Sequence, residues 1–165
     1  MISQTAEYAL RAMAFLASNP GQARTAQKIS ELAELPAGYV VRVMQLLRDA
    51  KLVAPRRGPH GGFTLTRSLD RINLLDIVNA VEPVRRVEKC PLGKPAHLQL
   101  CPLHRRLDEA AAGVEKAFTD TTLAELVVEI EKNDKACQFP VPITTTATKK
   151  KKKKSKKSKK SIKKR

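Results

Sequence analysis

The sequence predicts a mainly α-helical protein: a winged helix-turn-helix with a β-hairpin wing, followed by a long C-terminal dimerisation helix. Three observations lead to this fold class. Apolar residues recur at helical spacing in successive segments of the chain. A tight break at Leu35-Pro36 separates two short helical segments, which is the helix-turn-helix pattern. Directly after them, two strand-like runs flank a turn rich in glycine and proline, which is typical of a wing.

The first three predicted helices form the helix-turn-helix unit. The first covers residues 3–18 and ends at the turn Asn19-Pro20-Gly21. Thr25 is the predicted N-cap of the second, over residues 26–35. The third covers residues 37–50. The apolar faces comprise Ala6, Ala9, Leu10, Met13 and Leu16 in the first helix, Ile29, Leu32 and Ala33 in the second, and Val40, Val43, Met44 and Leu47 in the third.

The remaining elements follow in order. The wing strands are predicted over residues 52–54 and 63–66, and another amphipathic helix over residues 73–81. A long helix over residues 102–118 carries one apolar side, formed by Leu103, Leu107, Ala110, Ala111 and Val114. Residues 121–132 either continue it or form a final short helix. We therefore divide the chain into a DNA-binding domain (1–83), a Cys/His loop (84–104), a dimerisation region (105–132), and a disordered linker with a lysine-rich tail (133–165).

The net charge of +16 is concentrated in the tail. Residues 149–165 contain 12 Lys and one Arg, which leaves 19 basic against 16 acidic residues in the rest of the chain. The body is therefore only mildly basic, whereas the tail reads as a disordered polycation that adds non-specific DNA affinity through counterion release. The alternative for the tail is a low-complexity segment without a partner.

Composition also excludes several classes of protein. Aromatic residues make up 4% of the chain and Trp is absent, which argues against an aromatic platform for single strands. We find no signal peptide and no membrane span, so a cytoplasmic location is expected. The sequence shows no motif for a nucleophile–base pair, a phosphate loop or a pair of catalytic acids. The protein is therefore not expected to be an enzyme.

The third helix is the predicted reader of double-stranded DNA in the major groove. Residues near its N-terminus would face base edges: Gly38, Tyr39, Val41 and Arg42. Arg42 has the chemistry to pair bidentately with guanine, and Val41 can touch a thymine methyl group. Alternatively, Arg42 is a solvated surface residue and Tyr39 packs on the wing.

The wing tip "RRGPHGG" adds Arg56, Arg57, His60 and Gly61 to the predicted DNA-binding residues, and Thr25 is included at the start of the second helix. Either arginine can reach a phosphate or the minor groove. A winged helix of this kind docks as a two-fold dimer on a pseudo-palindromic operator. The long helix is the expected homodimer element, and its alternative is packing on its own domain.

The stretch "CPLGKPAHLQLCPLH" places two of the three cysteines and two of the three histidines within residues 90–104. In a reducing compartment, such clustering favours metal or redox chemistry over a disulfide. Two Cys and two His are also a ligand set for Zn²⁺, although this spacing is not that of a standard zinc finger. The plain alternative is an unliganded loop with two thiols.

Over roughly residues 1–130 the chain resembles the IscR/NsrR type of bacterial winged-helix regulators. The resemblance rests on the order and spacing of "EYALRAMAFLA", "ISELAELPAGYVVRVMQLLRDAKLV", "RGPHGGFTL", "INLLDIVNAVE" and "CPLH". It implies a homodimeric transcription regulator, often a repressor, whose DNA affinity depends on an iron–sulfur cluster or another small signal. Members of the IscR type place an acidic residue where Val41 stands, so a different operator is expected here.

The resemblance also implies metal ligands. Cluster-bearing members show three Cys in this loop, of which Cys90 and Cys101 match, while His97 lies about where the middle Cys would be. A cluster, preferably [2Fe–2S] rather than [4Fe–4S], would then use Cys90, Cys101 and one of His97 or His104. Glu7 occupies the position where some members supply an acidic ligand from the partner subunit. The alternatives are a zinc-binding variant, and a cluster-free regulator controlled by a protein partner or a small molecule.

Overall fold

The computed structural model describes residues 2–91 and 99–132. Its elements, in chain order, are α1 (Gln4–Ala17), α2 (Ala26–Leu32), α3 (Ala37–Asp49), β1 (Val53–Arg56), β2 (Gly62–Leu65), a 3-10 turn (Leu69–Arg71), α4 (Leu74–Val81), α5 (Pro102–Thr119) and α6 (Leu123–Lys132). The predicted fold class, mainly α with an antiparallel hairpin after the helix-turn-helix, is confirmed. The predicted linker and tail over residues 133–165 lie outside the described residues, as does His97.

Local capping signals place the helix ends. The Ser3 and Thr25 side chains accept hydrogen bonds from the backbone N–H groups of Ala6 and Lys28, both at 3.2 Å, at the starts of α1 and α2. Asn73 begins α4 with a reciprocal capping box. Residues 121–132 do not continue α5: Thr122 and Glu125 exchange the same pair of hydrogen bonds and begin the separate helix α6.

The core is centred on α1, which packs against α3, α4 and α6. Its buried residues combine alanines with large side chains: Ala6, Ala9, Ala12, Met13, Ala14, Phe15, Leu16 and Ala17. The buried faces of α3 and α4 close around them, with Met44, Leu47 and Ile77 at or near zero exposure. The helix-turn-helix and the C-terminal elements therefore share one continuous apolar core.

The helix α5 differs from the others because none of its 18 residues is buried. It packs on α4, yet Leu103, Leu107 and Val114 are 64%, 51% and 36% exposed. We call these three residues, together with Ala110, the α5 seam. Despite the length of α5, none of the helices in the described ranges combines enough length with enough apolar character to cross a bilayer.

Two helices end in left-handed caps occupied by charged residues. After α2, Glu34 has φ of 52° and the N–H of Leu35 donates to the carbonyl of Ser30. After α3, Lys51 has φ of 59° and the N–H of Leu52 donates to the carbonyl of Leu47. This is the Schellman pattern, in which glycine is the usual residue at the left-handed position. The buried Leu35 and Leu52 that follow anchor each turn in the core.

The wing is attached to the start of α2 by its backbone. The strands pair antiparallel, with Pro55 opposite Phe63 and Arg56 opposite Gly62. Phe63 also exchanges two backbone hydrogen bonds with Arg24, at 2.8 and 3.1 Å, just before α2. Gly62 has φ of +145°, and a Cβ there would lie 2.3 Å from the carbonyl carbon of Arg24. Glycine is therefore required for this close approach.

We expect Gly62→Ala to lower the free energy of unfolding by about 2–4 kcal/mol, because the added methyl group would push the wing away from residue 24. The matched control is Gly21→Ala. Gly21 also has a positive φ, of +75°, but open space surrounds its missing Cβ, so only the backbone cost of about 1–2 kcal/mol applies. Urea denaturation followed by circular dichroism measures both, and equal losses would contradict the close approach.

Replacement of Lys51 by glycine is expected to raise the free energy of unfolding by about 0.5–1 kcal/mol, since it relieves the left-handed strain at the end of α3. Lys51→Ala removes the same exposed side chain but keeps the strain, and it serves as the control. Thermal melts of the three proteins measure the effect. A gain that appears equally in the alanine variant would assign it to the lost lysine charge instead.

Candidate nucleic-acid interface and metal centre

The helix α3 presents a continuous exposed face opposite its buried one. Gly38, Tyr39, Val41 and Arg42 are all exposed at its N-terminal end, as the sequence predicts for a recognition helix. Gln45 lies on the same face, one turn beyond Val41, and is also exposed. The sequence analysis missed Gln45, although its helical spacing from Val41 was a usable signal. An amide at this position has the donor–acceptor pair that matches adenine.

Tyr39 is 49% exposed and contacts α1 through its ring. The Tyr8 and Tyr39 rings meet edge to face, with centroids 5.6 Å apart and planes at 66°. This contact leaves one side of the Tyr39 ring against α1 and the rest of the side chain accessible. It also fixes the start of α3 relative to the start of α1.

The wing tip carries three exposed basic side chains on a tight turn. Arg56, Arg57 and His60 are all exposed. The N–H of Gly61 donates to the carbonyl of Gly58 at 2.8 Å, and a Cβ on Gly61 would lie 2.5 Å from the carbonyl oxygen of Arg56. Gly61 therefore keeps the tip narrow. Thr25 is exposed beside the wing, with its hydroxyl occupied as the cap of α2.

Three of the predicted ligands converge. Cys90, Cys101 and His104 bring their Sγ and Nδ1 atoms within 4.8 Å of one another. The Nδ1 atom of His104 lies 3.2 Å from the Cys101 sulfur and 3.6 Å from the Cys90 sulfur. All three side chains are half-buried. Cys101 is the N-cap residue of α5 and His104 lies in its first turn, so the helix geometry brings these two together.

The spacing of these atoms fits ligands of a single metal ion. Bonds of about 2.3 Å to sulfur and about 2.0 Å to nitrogen, at a tetrahedral angle, place the two ligand atoms about 3.5 Å apart. The observed separations of 3.2 and 3.6 Å bracket that value. Thiolates and an imidazole suit Zn²⁺ and also the irons of an iron–sulfur cluster. The residues present therefore fit a metal, with a fourth position left to another donor.

Of the other two predicted ligands, Glu7 does not join this group within one chain. Glu7 lies on the exposed side of α1, where its carboxylate pairs with Arg11 at 3.2 Å. His97, the other one, lies outside the described residues. Neither Cys90 nor Cys101 forms a disulfide in the part of the chain that the structure describes.

An ion-pair cluster, missed by the sequence analysis, adjoins the metal centre. The Arg86 guanidinium donates to both Asp108 oxygens at 2.7 Å and to Glu115 at 2.9 Å. Asp108 also accepts the N–H of Val87 at 2.9 Å. The hydrogen bonds from Arg86, and then the one from Val87, lower the pKa of Asp108 to about 2 from its ordinary value of 3.8. Pairing raises the pKa of Arg86 in turn.

A family model and a similar protein both point to transcriptional regulators. Residues 2–129 match the Rrf2 family model, described as an iron-dependent transcriptional regulator. A protein of Aquifex aeolicus (strain VF5), named as an HTH-type transcriptional regulator, is 28% identical over 137 residues, covering 81% of this chain and 95% of the relative.

Solved structures agree with this match. CymR (YrzC), the global cysteine regulator of B. subtilis, has a TM-score of 0.65 and 27% identity over 78% of this chain and 97% of its own. IscR of T. potens is similar in fold, with a TM-score of 0.68 and 23% identity over 80% of this chain and 89% of its own. The winged-helix fold, the helix-turn-helix surface and the family match agree, and the chain belongs to the Rrf2 family of transcriptional regulators.

Proposed function

We propose that this protein is a homodimeric transcriptional repressor whose DNA affinity is set by a metal centre, preferably a [2Fe–2S] cluster, bound through Cys90, Cys101 and His104. The observation that carries the proposal is the convergence of two thiols and one imidazole between a winged helix and an exposed long helix. The description of the family model as iron-dependent supports the choice of iron.

The DNA contacts follow from the two exposed surfaces. α3 enters the major groove of a pseudo-palindromic operator, where Arg42 pairs with guanine and Val41 packs on a thymine methyl. Arg56 and Arg57 on the wing contact phosphates or the minor groove. The lysine-rich tail adds sequence-independent affinity that falls steeply with salt. This division assigns base recognition to α3 and register to the wing.

The homodimer uses the α5 seam. Among the described residues after α4, its leucines and valine are the large exposed apolar side chains, together with Val128 on α6. An antiparallel or parallel pair of such helices buries the seams against each other. The partner's copy of α1 would then bring a carboxylate, that of Glu7, toward the metal as the fourth ligand.

The metal position explains how occupancy alters DNA binding. Cys90 lies in the segment that follows α4, and Cys101 is the N-cap residue of α5. A metal that holds both cysteines adds a further tie between the DNA-binding domain and the dimer helix, beside the packing of α5 on α4, and so constrains the spacing of the two recognition helices. Release of the metal removes that constraint, and the equilibrium shifts by the difference in metal affinity between the two arrangements.

One observation favours zinc as a second candidate. The 3.2 and 3.6 Å separations suit three ligands on one ion, whereas a cluster distributes its protein ligands over two or more irons. A zinc centre would stabilise the local structure and would have no redox chemistry. The metal content of the protein separates the two candidates.

We expect Arg42→Ala to cost about 1–3 kcal/mol of binding to an operator selected from random duplex DNA, and to relax the base preference at one position per half-site. Arg57→Ala is expected to weaken all sequences about equally and to reduce the salt slope by about 1 per subunit. Fluorescence anisotropy at several salt concentrations measures both. Arg48→Ala, at the far end of α3 and paired with Asp49, is the control and should change little.

The metal proposal predicts a coloured protein after anaerobic purification, with visible charge-transfer bands and with iron and sulfide in equal amounts. Cys90→Ala and Cys101→Ala should each abolish the bands. Replacement of the third cysteine of the sequence, Cys137→Ala, should keep them. A colourless wild type that contains one zinc per chain would establish the second candidate. Absence of any metal would refute both and point to a regulator controlled by a protein partner or a small molecule.

A further inference from the structure

The metal centre draws its ligands from two segments that differ in how they are fixed. Cys101 and His104 are three residues apart at the start of α5, and the helix itself sets their relative positions. Cys90 arrives from residues 82–91, which form no helix or strand. Its position over His104, at 3.6 Å, therefore depends on how that segment is held against α5.

Four hydrogen bonds tie this segment to α5. The Arg86 guanidinium grips the Asp108 carboxylate with two of its nitrogens and Glu115 with the third. The backbone N–H of the next residue, Val87, donates to the same Asp108 carboxylate. Asp108 lies one helical turn after His104, on the side of α5 where the segment runs. Arg86 and Val87 therefore lie four and three residues before Cys90, and the carboxylate that binds them lies one helical turn beyond His104.

We infer that Arg86 and Asp108 are positioning residues for the metal centre: their bidentate pair fixes residues 84–90 along α5 so that the Cys90 sulfur stands beside Cys101 and His104. The inference deepens the proposed metal-dependent function and rests on it for its biological meaning. The forked guanidinium is suited to this task because its planar geometry fixes direction as well as distance. A lysine in its place would keep the positive charge but could not form the two parallel hydrogen bonds that orient the Asp108 carboxylate.

Both partners of the pair stay charged over the whole working range of pH. The pKa of Asp108 is about 2 and Arg86 stays charged. A carboxyl with a lowered folded-state pKa stabilises the fold above its unfolded pKa and loses that contribution as pH falls through the folded value. For Asp108 the loss falls between about pH 4 and pH 2. Both groups therefore stay charged between pH 5 and 8, and the pair is not a pH switch.

The test measures thiol proximity without any metal. Dibromobimane becomes fluorescent when it alkylates two neighbouring thiols, so its rate with metal-free full-length protein in a Cys137→Ser background reports how often Cys90 and Cys101 meet. We expect Arg86→Lys, Arg86→Ala and Asp108→Asn to slow this cross-link about fivefold or more through a lower effective concentration of the thiols. The charge-reversed double variant Arg86→Asp with Asp108→Arg should recover much of the rate.

The matched control is Lys116→Ala. Lys116, on α5, pairs at 2.7 Å with Asp120, the C-cap residue of that helix, and both side chains are exposed. Its variant should cross-link at the wild-type rate. Circular dichroism melts identify any variant that fails to fold, and Arg86→Lys provides the comparison if Arg86→Ala is lost for that reason. Equal rates in the folded Arg86 and Asp108 variants and in the wild type would overturn the inference.

A second readout uses Co²⁺ as the probe. Competition with a chelator should show Co²⁺ affinity about 10- to 100-fold lower in the Arg86 and Asp108 variants, as is usual when groups that orient ligands are lost. Their sulfur-to-cobalt charge-transfer band should weaken at saturation. If the wild type binds no metal but the cross-link still depends on Arg86, the proposed metal function fails and the positioning role stands. Metal binding with unchanged affinity in all variants would overturn the positioning role alone.

Discussion

The burial of α1 is the constraint on which the other elements depend. Ala9 and Ala12 let neighbouring helices approach closely, while Met13, Phe15 and Leu16 fill the space between them. Each large side chain that is fully buried contributes about 1.5–3 kcal/mol of transfer free energy. Since α3, α4 and α6 all pack on this helix, the recognition surface and the C-terminal region take their positions from the same core.

Much of the fold was readable from sequence because its determinants are local. Thr25 caps α2 and Asn73 caps α4 through side chains that reach only three residues along the chain. The capping box of Thr122 and Glu125 was equally visible, and reading it would have decided that α6 is separate from α5. Hydrophobic spacing then assigned the buried faces of α1 and α3. These signals act within one helical turn, so a single sequence contains them.

The candidate site was predicted only in part, because some of its contacts join residues that are far apart in the sequence. Cys90, Cys101 and His104 were singled out by residue type, since few side chains bind metals. The sequence analysis left His97 and His104 as alternatives, and it could not show that the fold brings His104 beside both cysteines. Nor could it show that Arg86 meets Asp108, because exposed charges are common and the two are 22 residues apart. The contact of Tyr8 with Tyr39 was hidden for the same reason.

The uncovered seam on α5 has a consequence for the energetics of the whole chain. Leu103, Leu107 and Val114 remain in contact with water in the single chain. Their transfer from water to an apolar environment therefore does not contribute to the free energy of folding of that single chain. Any association that covers them adds a contribution that grows with the logarithm of protein concentration. The melting temperature of this protein would then report on assembly as well as on folding. Dilution would loosen the region around α5 before the α1 core.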